Sequence, residues 1–327
     1  MTSRTELDRR TFLRLAGSTV AVGAATVTSV GLGAMAAPSA LAAGGGRRLV
    51  PPGKLGIQLY SIRDKVSSLG FRAVFERLSA LGYREVEFAG YTQGAVGAIT
   101  PAEIRTLLDD NGLVAVGSHR GITDFARNME AELDIAQTLG MAHVGTANAP
   151  TNDRTVGGYL AAAEQFNAFG AAAAARGLKF YQHNHQHEFG FATDDPATRL
   201  YDVFLENTDP QAVYLEMDVF WAFVGRHLYP GFEPVEYVLA HRDRYPMFHL
   251  KDGRVNPQSS NGYDIVEFGV GDLDYQAFLG ALNGSGRQHG IWEQDNASTV
   301  AEPPFPVDSF GNAERSADAI LALRARG

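Results

Sequence analysis

The chain contains no cysteine. Disulfides, thiolate zinc ligands and a cysteine nucleophile are therefore excluded. Positive charge is in short supply: 28 Lys and Arg face 37 Asp and Glu, for a net charge of −9. A phosphate backbone is bound by a basic surface, so nucleic acid is not the expected partner. Beyond residue 43 no apolar run is long enough to span a bilayer. No GxGxxG follows the first expected strand, which counts against an open dinucleotide-binding sheet.

What is present begins with an address. Asp8-Arg-Arg-Thr-Phe-Leu-Arg14 precedes a weakly apolar run from Leu15 to Ala37, and Ala40-Leu41-Ala42 has the small-x-small form of a cleavage site. Residues 1–43 thus resemble a twin-arginine export signal. The competing reading, a single transmembrane anchor, is weakened by the Gly, Ala and Thr content of the run. Export to the periplasm or the extracellular space is expected, without stable membrane insertion. Residues 44–53 read as a Gly/Arg/Pro linker, and 54–327 as a single α/β domain.

A local pattern recurs in that domain. A helix-like segment ends in Gly, and a short apolar strand follows almost at once. It occurs at Gly82, Gly112, Gly140, Gly177 and Gly290. Glycine just past a helix end takes the left-handed conformation without steric cost. Expected strands start near Leu55, Arg84, Leu113, Ala142, Leu178, Val213, Pro246 and Gly290. Helix signals fall between them. Phe71, Val74, Phe75, Leu78 and Leu81 share one helical face. Thr100-Pro-Ala-Glu103 is a capping box, the Ala-rich run 159–175 is strongly helical, and Asp274 can cap a helix from Tyr275. Eight strand–helix units predict a (β/α)8 TIM barrel, with a doubly wound open sheet as the alternative.

In such barrels chemistry gathers at the C-terminal strand ends. In order these give Gln58 and Tyr60, Glu85 and Glu87, Ser118 and His119, Thr146 and Asn148, and then His183 and His185 with Glu188 beyond. Glu216 and Asp218 with Trp221, His249 and Lys251, and Glu293 and Asp295 complete the set. His183, His185 and His187 fall within five residues, and strand alternation puts the first two on one face. His, Asp, His and Glu at one end of four successive strands suggest a divalent metal centre for Mn, Zn, Co or Fe, or Mg with more carboxylate and water. The plainer readings are a loop-starting Asp218, a satisfied core His249, a Glu293 paired with Lys251 or Arg, and a Lys251 bridged to Glu216 or Asp252. His143 reads as structural, and His227, His241 and His289 have no assigned role.

Tyr181-Gln-His-Asn-His185, Glu216-Met-Asp-Val-Phe-Trp221, His249-Leu-Lys-Asp252 and Glu293-Gln-Asp295 resemble the sugar phosphate isomerase/epimerase family, the xylose-isomerase-like TIM barrels. Gly56-Ile-Gln-Leu-Tyr-Ser61 and Gly269-Val-Gly-Asp-Leu-Asp274 fit as well. The resemblance runs from about Leu55 to the C-terminus. It implies one divalent ion (Mn, Zn, Co or Mg) on His183, Asp218, His249 and Glu293. Many relatives carry Glu where this chain has His183, and His185 or Glu188 are alternatives for that ligand. With one metal-binding glutamate in place of two, a symmetric epimerisation is in doubt. Isomerisation, dehydration or β-elimination of a 3-keto-glycoside stay open.

A metal that chelates adjacent sugar oxygens makes a neighbouring C–H acidic, and a held carboxylate or imidazole removes the proton. Glu293 and His185 are the proton-transfer candidates, and Lys251 is placed to hold a sugar oxygen. Gln58, Tyr60, Glu87, His119, Asn148, Trp221 and Glu188 are the candidate substrate contacts, with Phe220 and Phe248 as further stacking faces. An exported enzyme points to a free or oxidised sugar, not a phosphorylated one, and no phosphate-cradling Gly-rich loop is evident. Pro303-Pro-Phe-Pro306 reads as a stiff loop over the site or against a second subunit, so a homo-oligomer is a possible assembly. The other readings are an endonuclease-IV-like phosphodiesterase, disfavoured by acidic charge, and a sugar-binding barrel without turnover.

Overall fold

Eight short segments, buried along nearly all of their length, pair in parallel in the computed structural model, which describes residues 46–282 and 288–326. They are β1 (Leu55–Gln58), β2 (Glu85–Phe88), β3 (Val114–Ser118), β4 (His143–Thr146), β5 (Lys179–His183), β6 (Val213–Asp218), β7 (Met247–Leu250) and β10 (His289–Trp292). Their order is β3-β2-β1-β10-β7-β6-β5-β4. The two edges meet through one bridge, His119 to Gly145, where Arg120 N donates to Gly145 O at 2.8 Å. The sheet is thus a nearly closed barrel. The expected export signal lies outside the described residues.

Among the described residues nine α-helices accompany these strands: α1 (Arg63–Ala80), α2 (Pro101–Asp110), α3 (Ile122–Leu139), α4 (Val156–Ala175), α5 (Leu200–Asn207), α6 (Val219–Leu228), α7 (Pro234–Ala240), α8 (Tyr275–Ala281) and α9 (Ser309–Ala322). Local chemistry sets their ends. Thr100 and Glu103 form the reciprocal capping box of α2, and the Asp274 side chain accepts from Ala277 N to start α8. Gly140 and Gly177 leave α3 and the α4 end with φ of 74° each, strained for a residue with a Cβ. Gly290 departs from the expected pattern. It lies inside β10, so the break precedes it. A further departure is an antiparallel hairpin, β8 (Asp252–Val255) with β9 (Tyr263–Val266), inserted directly after β7.

Apolar side chains fill two regions. The larger lies between strands and helices and includes Phe75, Phe88, Phe166, Phe180 and Trp292. The smaller joins Val116, Tyr181, Met247 and Ile291. Gly145 makes room for Tyr181, because a Cβ there would meet its ring at 2.6 Å. The Tyr181 hydroxyl donates to Glu87 and so connects this inner packing to the strand-end residues. At the opposite strand ends, His289 Nδ1 lies 2.6 Å from Glu85 Oε2, and His143 packs edge-on against His289.

The chain termini fasten to each other. Leu49 N donates to Leu323 O at 3.1 Å and Ala325 N to Arg47 O at 2.8 Å. Leu49 and Val50 are buried in the main core, so part of the stretch expected as a linker is packed. Among the described residues no helix is long and apolar enough to cross a membrane.

Candidate metal centre

Strand alternation decides which side chains enter the barrel mouth. His183 faces Glu216 across the β5–β6 pair, and Asp218 faces His249 across β6–β7. Lys251 and Glu293 continue the same alternation just past β7 and β10. His183, Asp218, His249 and Glu293 are all buried, and each offers a donor atom within 4.8 Å of the others. A second group, His119, His183, Glu216 and His249, shares the two imidazoles.

The shared imidazoles each have two faces. His183 Nε2 lies 3.8 Å from Asp218 Oδ2, while its Nδ1 lies 3.1 Å from Glu216 Oε2. His249 Nδ1 lies 2.9 Å from Glu293 Oε2, while its Nε2 lies 2.6 Å from Glu87 Oε2. Lys251 Nζ stands 3.1 Å from Asp218 Oδ2 and 2.9 Å from both Glu293 Oε2 and Asp295 Oδ2. Those are ion-pair distances, and among the described residues Asp218 Oδ2 and Asp295 Oδ2 are buried with no partner besides this ammonium and, for Asp218, the more distant imidazoles.

Charge in the cluster is strongly coupled. Burial raises the Asp218 carboxyl to about 6 against the pull of Lys251 and His249. Burial also opposes ionisation of Glu293, but Lys251 and His249 outweigh it and hold the group well below its ordinary value. The Lys251 ammonium is kept charged, despite its burial, by Asp218, Asp295 and Glu293. His119 is raised to about 9, since Glu87 and Glu216 overcome its desolvation. His185 is lowered to about 3 by burial and by Lys251, which leaves a neutral imidazole at the mouth.

The other expected contacts divide by placement. Gln58 is buried and donates to Glu87 Oε2 at 2.9 Å, and His119 Nε2 lies 2.9 Å from Glu216 Oε2. Trp221 stands on the first turn of α6, its ring 5.8 Å from that of His185 and 5.3 Å from Lys251 Nζ. Glu188 is buried but turned to its own loop, accepting from His185 N at 2.9 Å, and burial raises it to about 7. Tyr60 is 43% exposed and stacks on Arg63, outside the buried cluster. Asn148 is exposed and accepts from Ile122 N at the start of α3. Lys251 pairs with Glu293, as one reading of the sequence expected, and not with Glu216 or Asp252. Glu216, Tyr181 and Asp295 belong to the cluster without having been singled out as site residues. A groove of about 510 Å³ between Phe223, Val255 and Phe278 touches none of the cluster.

The profile of the xylose isomerase-like TIM barrel family matches residues 75–324. The chain belongs to this family. Two solved structures described as sugar phosphate isomerase/epimerase from Parabacteroides distasonis are similar to it. One has a TM-score of 0.65 at 22% identity, covering 88% of this chain and 98% of its own. The other has a TM-score of 0.64 at 23% identity, covering 81% and 96%. A xylose isomerase-like TIM barrel protein from Mycobacterium smegmatis, in complex with magnesium, aligns at a TM-score of 0.52 and 16% identity over 83% of this chain and 96% of its own. At these identities the likeness is one of fold. No curated protein matches the sequence.

This xylose isomerase-like barrel passes a chemical test for a cation. Two imidazoles and two carboxylates carry a formal charge suited to a divalent ion, and Asp218 Oδ2 is buried without a hydrogen-bond partner. His183, Asp218, His249 and Glu293 are the residues that would hold it.

Proposed function

We propose that the protein is a divalent-metal-dependent sugar isomerase or epimerase that removes a proton next to a carbonyl on a free or oxidised sugar. The observation that supports this reading is the buried set His183, Asp218, His249 and Glu293 on four neighbouring barrel strands, with the Lys251 ammonium against two of its carboxylates. A divalent cation, when bound, supplies Lewis-acid polarisation of the substrate oxygens.

The chain's own groups do the rest. Glu293 is a buried, ionised carboxylate and can accept the proton. Lys251 Nζ, buried between the Asp218, Glu293 and Asp295 carboxylates, can donate to a sugar oxygen on which negative charge develops. His185, a neutral imidazole on the mouth side, can take or return a proton on the adjacent carbon. Such an unlike pair, carboxylate and imidazole, favours isomerisation over a symmetric epimerisation. Removal of a glycosidic substituent from a 3-keto-glycoside starts with the same proton abstraction. The twin-arginine motif supports export to the periplasm or the extracellular space as part of the proposal.

Metal analysis of untagged protein is the test, on wild type and on the Asp218→Ala/His249→Ala double variant. About one divalent ion per chain in wild type, lost in the variant, is expected. Keto-sugars and 3-keto-glycosides are then screened for deuterium uptake from solvent. Glu293→Gln should lower exchange by about 10²–10⁴-fold. Wild type that takes up no metal from added Mn or Zn would overturn the proposal and leave a binding protein.

A further inference from the structure

The buried cluster accounts for the floor of the barrel mouth but not for what lies beside Trp221. That ring has two neighbourhoods. His185 and Lys251 are close to it. It also lines a cavity of about 480 Å³ between the start of α6, the β8–β9 hairpin and the segment after Glu293. That volume falls within the range of about 300–1,000 Å³ typical of small-molecule sites.

The walls of this cavity have a specific chemistry. Trp221 and Tyr263 supply aromatic surface, and Asn261 and Asn296 supply planar amides. Phe220, itself buried, lies edge-on to Tyr263 at 6.3 Å and to Trp221 at 4.8 Å and packs between the two rings. Asn296 Nδ2 donates to Ile265 O at 3.0 Å and fastens the hairpin to the segment after Glu293. Arg254 is the one cation among the described lining residues, and it is bound to Glu302 at 3.1 Å. Asp264 adds a further negative charge. A phosphate would meet a net negative wall, whereas an uncharged sugar ring would meet aromatic faces and amides. Aromatic surface with a few placed polar groups is the usual make-up of a small-ligand pocket.

We propose that this groove is a subsite for a second, uncharged sugar ring, so that the substrate is a glycoside or disaccharide. A monosaccharide or a sugar phosphate would leave the groove unused. The proposal takes the reacting ring's position from the proposed function but concerns a different set of residues. It also accounts for the hairpin inserted after β7, which forms one wall.

Intrinsic fluorescence reads the test, because Trp221 lines the groove while the chain's other tryptophan, Trp292, is fully buried in the core. Metal-loaded protein is titrated with glucose, glucose 6-phosphate, cellobiose, maltose and trehalose. At least one disaccharide should bind about tenfold tighter than glucose, and glucose 6-phosphate no tighter than glucose. Asn261→Ala and Tyr263→Leu should bring the disaccharide down to the glucose affinity, with glucose affinity, metal content and melting temperature unchanged. The subsite is refuted if no disaccharide exceeds glucose, if glucose 6-phosphate binds best, or if both variants keep the disaccharide preference. Metal content and deuterium uptake report on Asp218 and Glu293 separately. A metal-loaded barrel without disaccharide preference loses the subsite alone, and a disaccharide-selective barrel without metal loses the reaction alone.

Discussion

An imidazole can offer a metal only one nitrogen, and the other must go somewhere. In His183 and His249 it goes to a carboxylate: Glu216 Oε2 at 3.1 Å for one and Glu87 Oε2 at 2.6 Å for the other. A carboxylate in that position fixes the tautomer and raises ligand basicity. Glu216→Gln should therefore weaken divalent-metal affinity about 10–100-fold, measured by competition with a chromophoric chelator, while the folded barrel persists. Unchanged affinity would mean that Glu216 only neutralises charge. Glu216 was readable as a strand-end residue two positions before Asp218, but its role was not, because sequence spacing shows parity and not partners. His183, Asp218, His249 and Glu293 stood out because imidazoles and carboxylates at strand ends are costly without a purpose. Tyr60 and Asn148 sit at equivalent positions in the pattern and still turn outward, where loop geometry replaces strand alternation.

At the level of elements, the inner packing depends on a size match between neighbours. Gly145 on β4 pairs in register with Tyr181 on β5, and the glycine leaves the space that the ring fills. Gly145→Ala should destabilise the fold by about 2–3 kcal/mol through overpacking, read as a lower urea midpoint. Because Tyr181 also donates to Glu87, the same change should weaken metal binding in the folded protein. The helix starts and four of the five expected glycine helix ends, all but Gly290, were legible in advance, since capping and positive φ are decided by residues next to each other. The hairpin was not, although Asn261-Gly262, with Gly262 at φ 76°, is a turn signal between two short strands. Its strands are brief and its wall-forming role depends on the distant α6, so the surrounding pattern of strand and helix units absorbed it.

Across the whole molecule, stability rests on layers far from the mouth. His143 is buried at the opposite strand ends, and burial, followed by the nearby His289, lowers it to about 4. The unfolded chain binds a proton there below about pH 6.5 while the folded barrel does not until about pH 4, so folding stability falls as pH drops through that window. The loss is on the order of 3 kcal/mol at most, and His143→Asn should flatten that part of the stability–pH curve. The termini add a second layer. Leu49 and Val50 are buried in the main core, and Arg47 and Leu49 bond to Ala325 and Leu323. A chain that begins at Gly44, the start of the stretch expected as a linker, retains all of these contacts. A chain that begins at Lys54 loses two buried apolar side chains worth about 1.5–3 kcal/mol each, together with the backbone clamp. The second should unfold at clearly lower urea than the first, by about 3–6 kcal/mol, with the strand-end cluster intact once folded. Equal stability of the two would show that the 44–53 stretch is a linker after all, and that the barrel closes without its N-terminal strap.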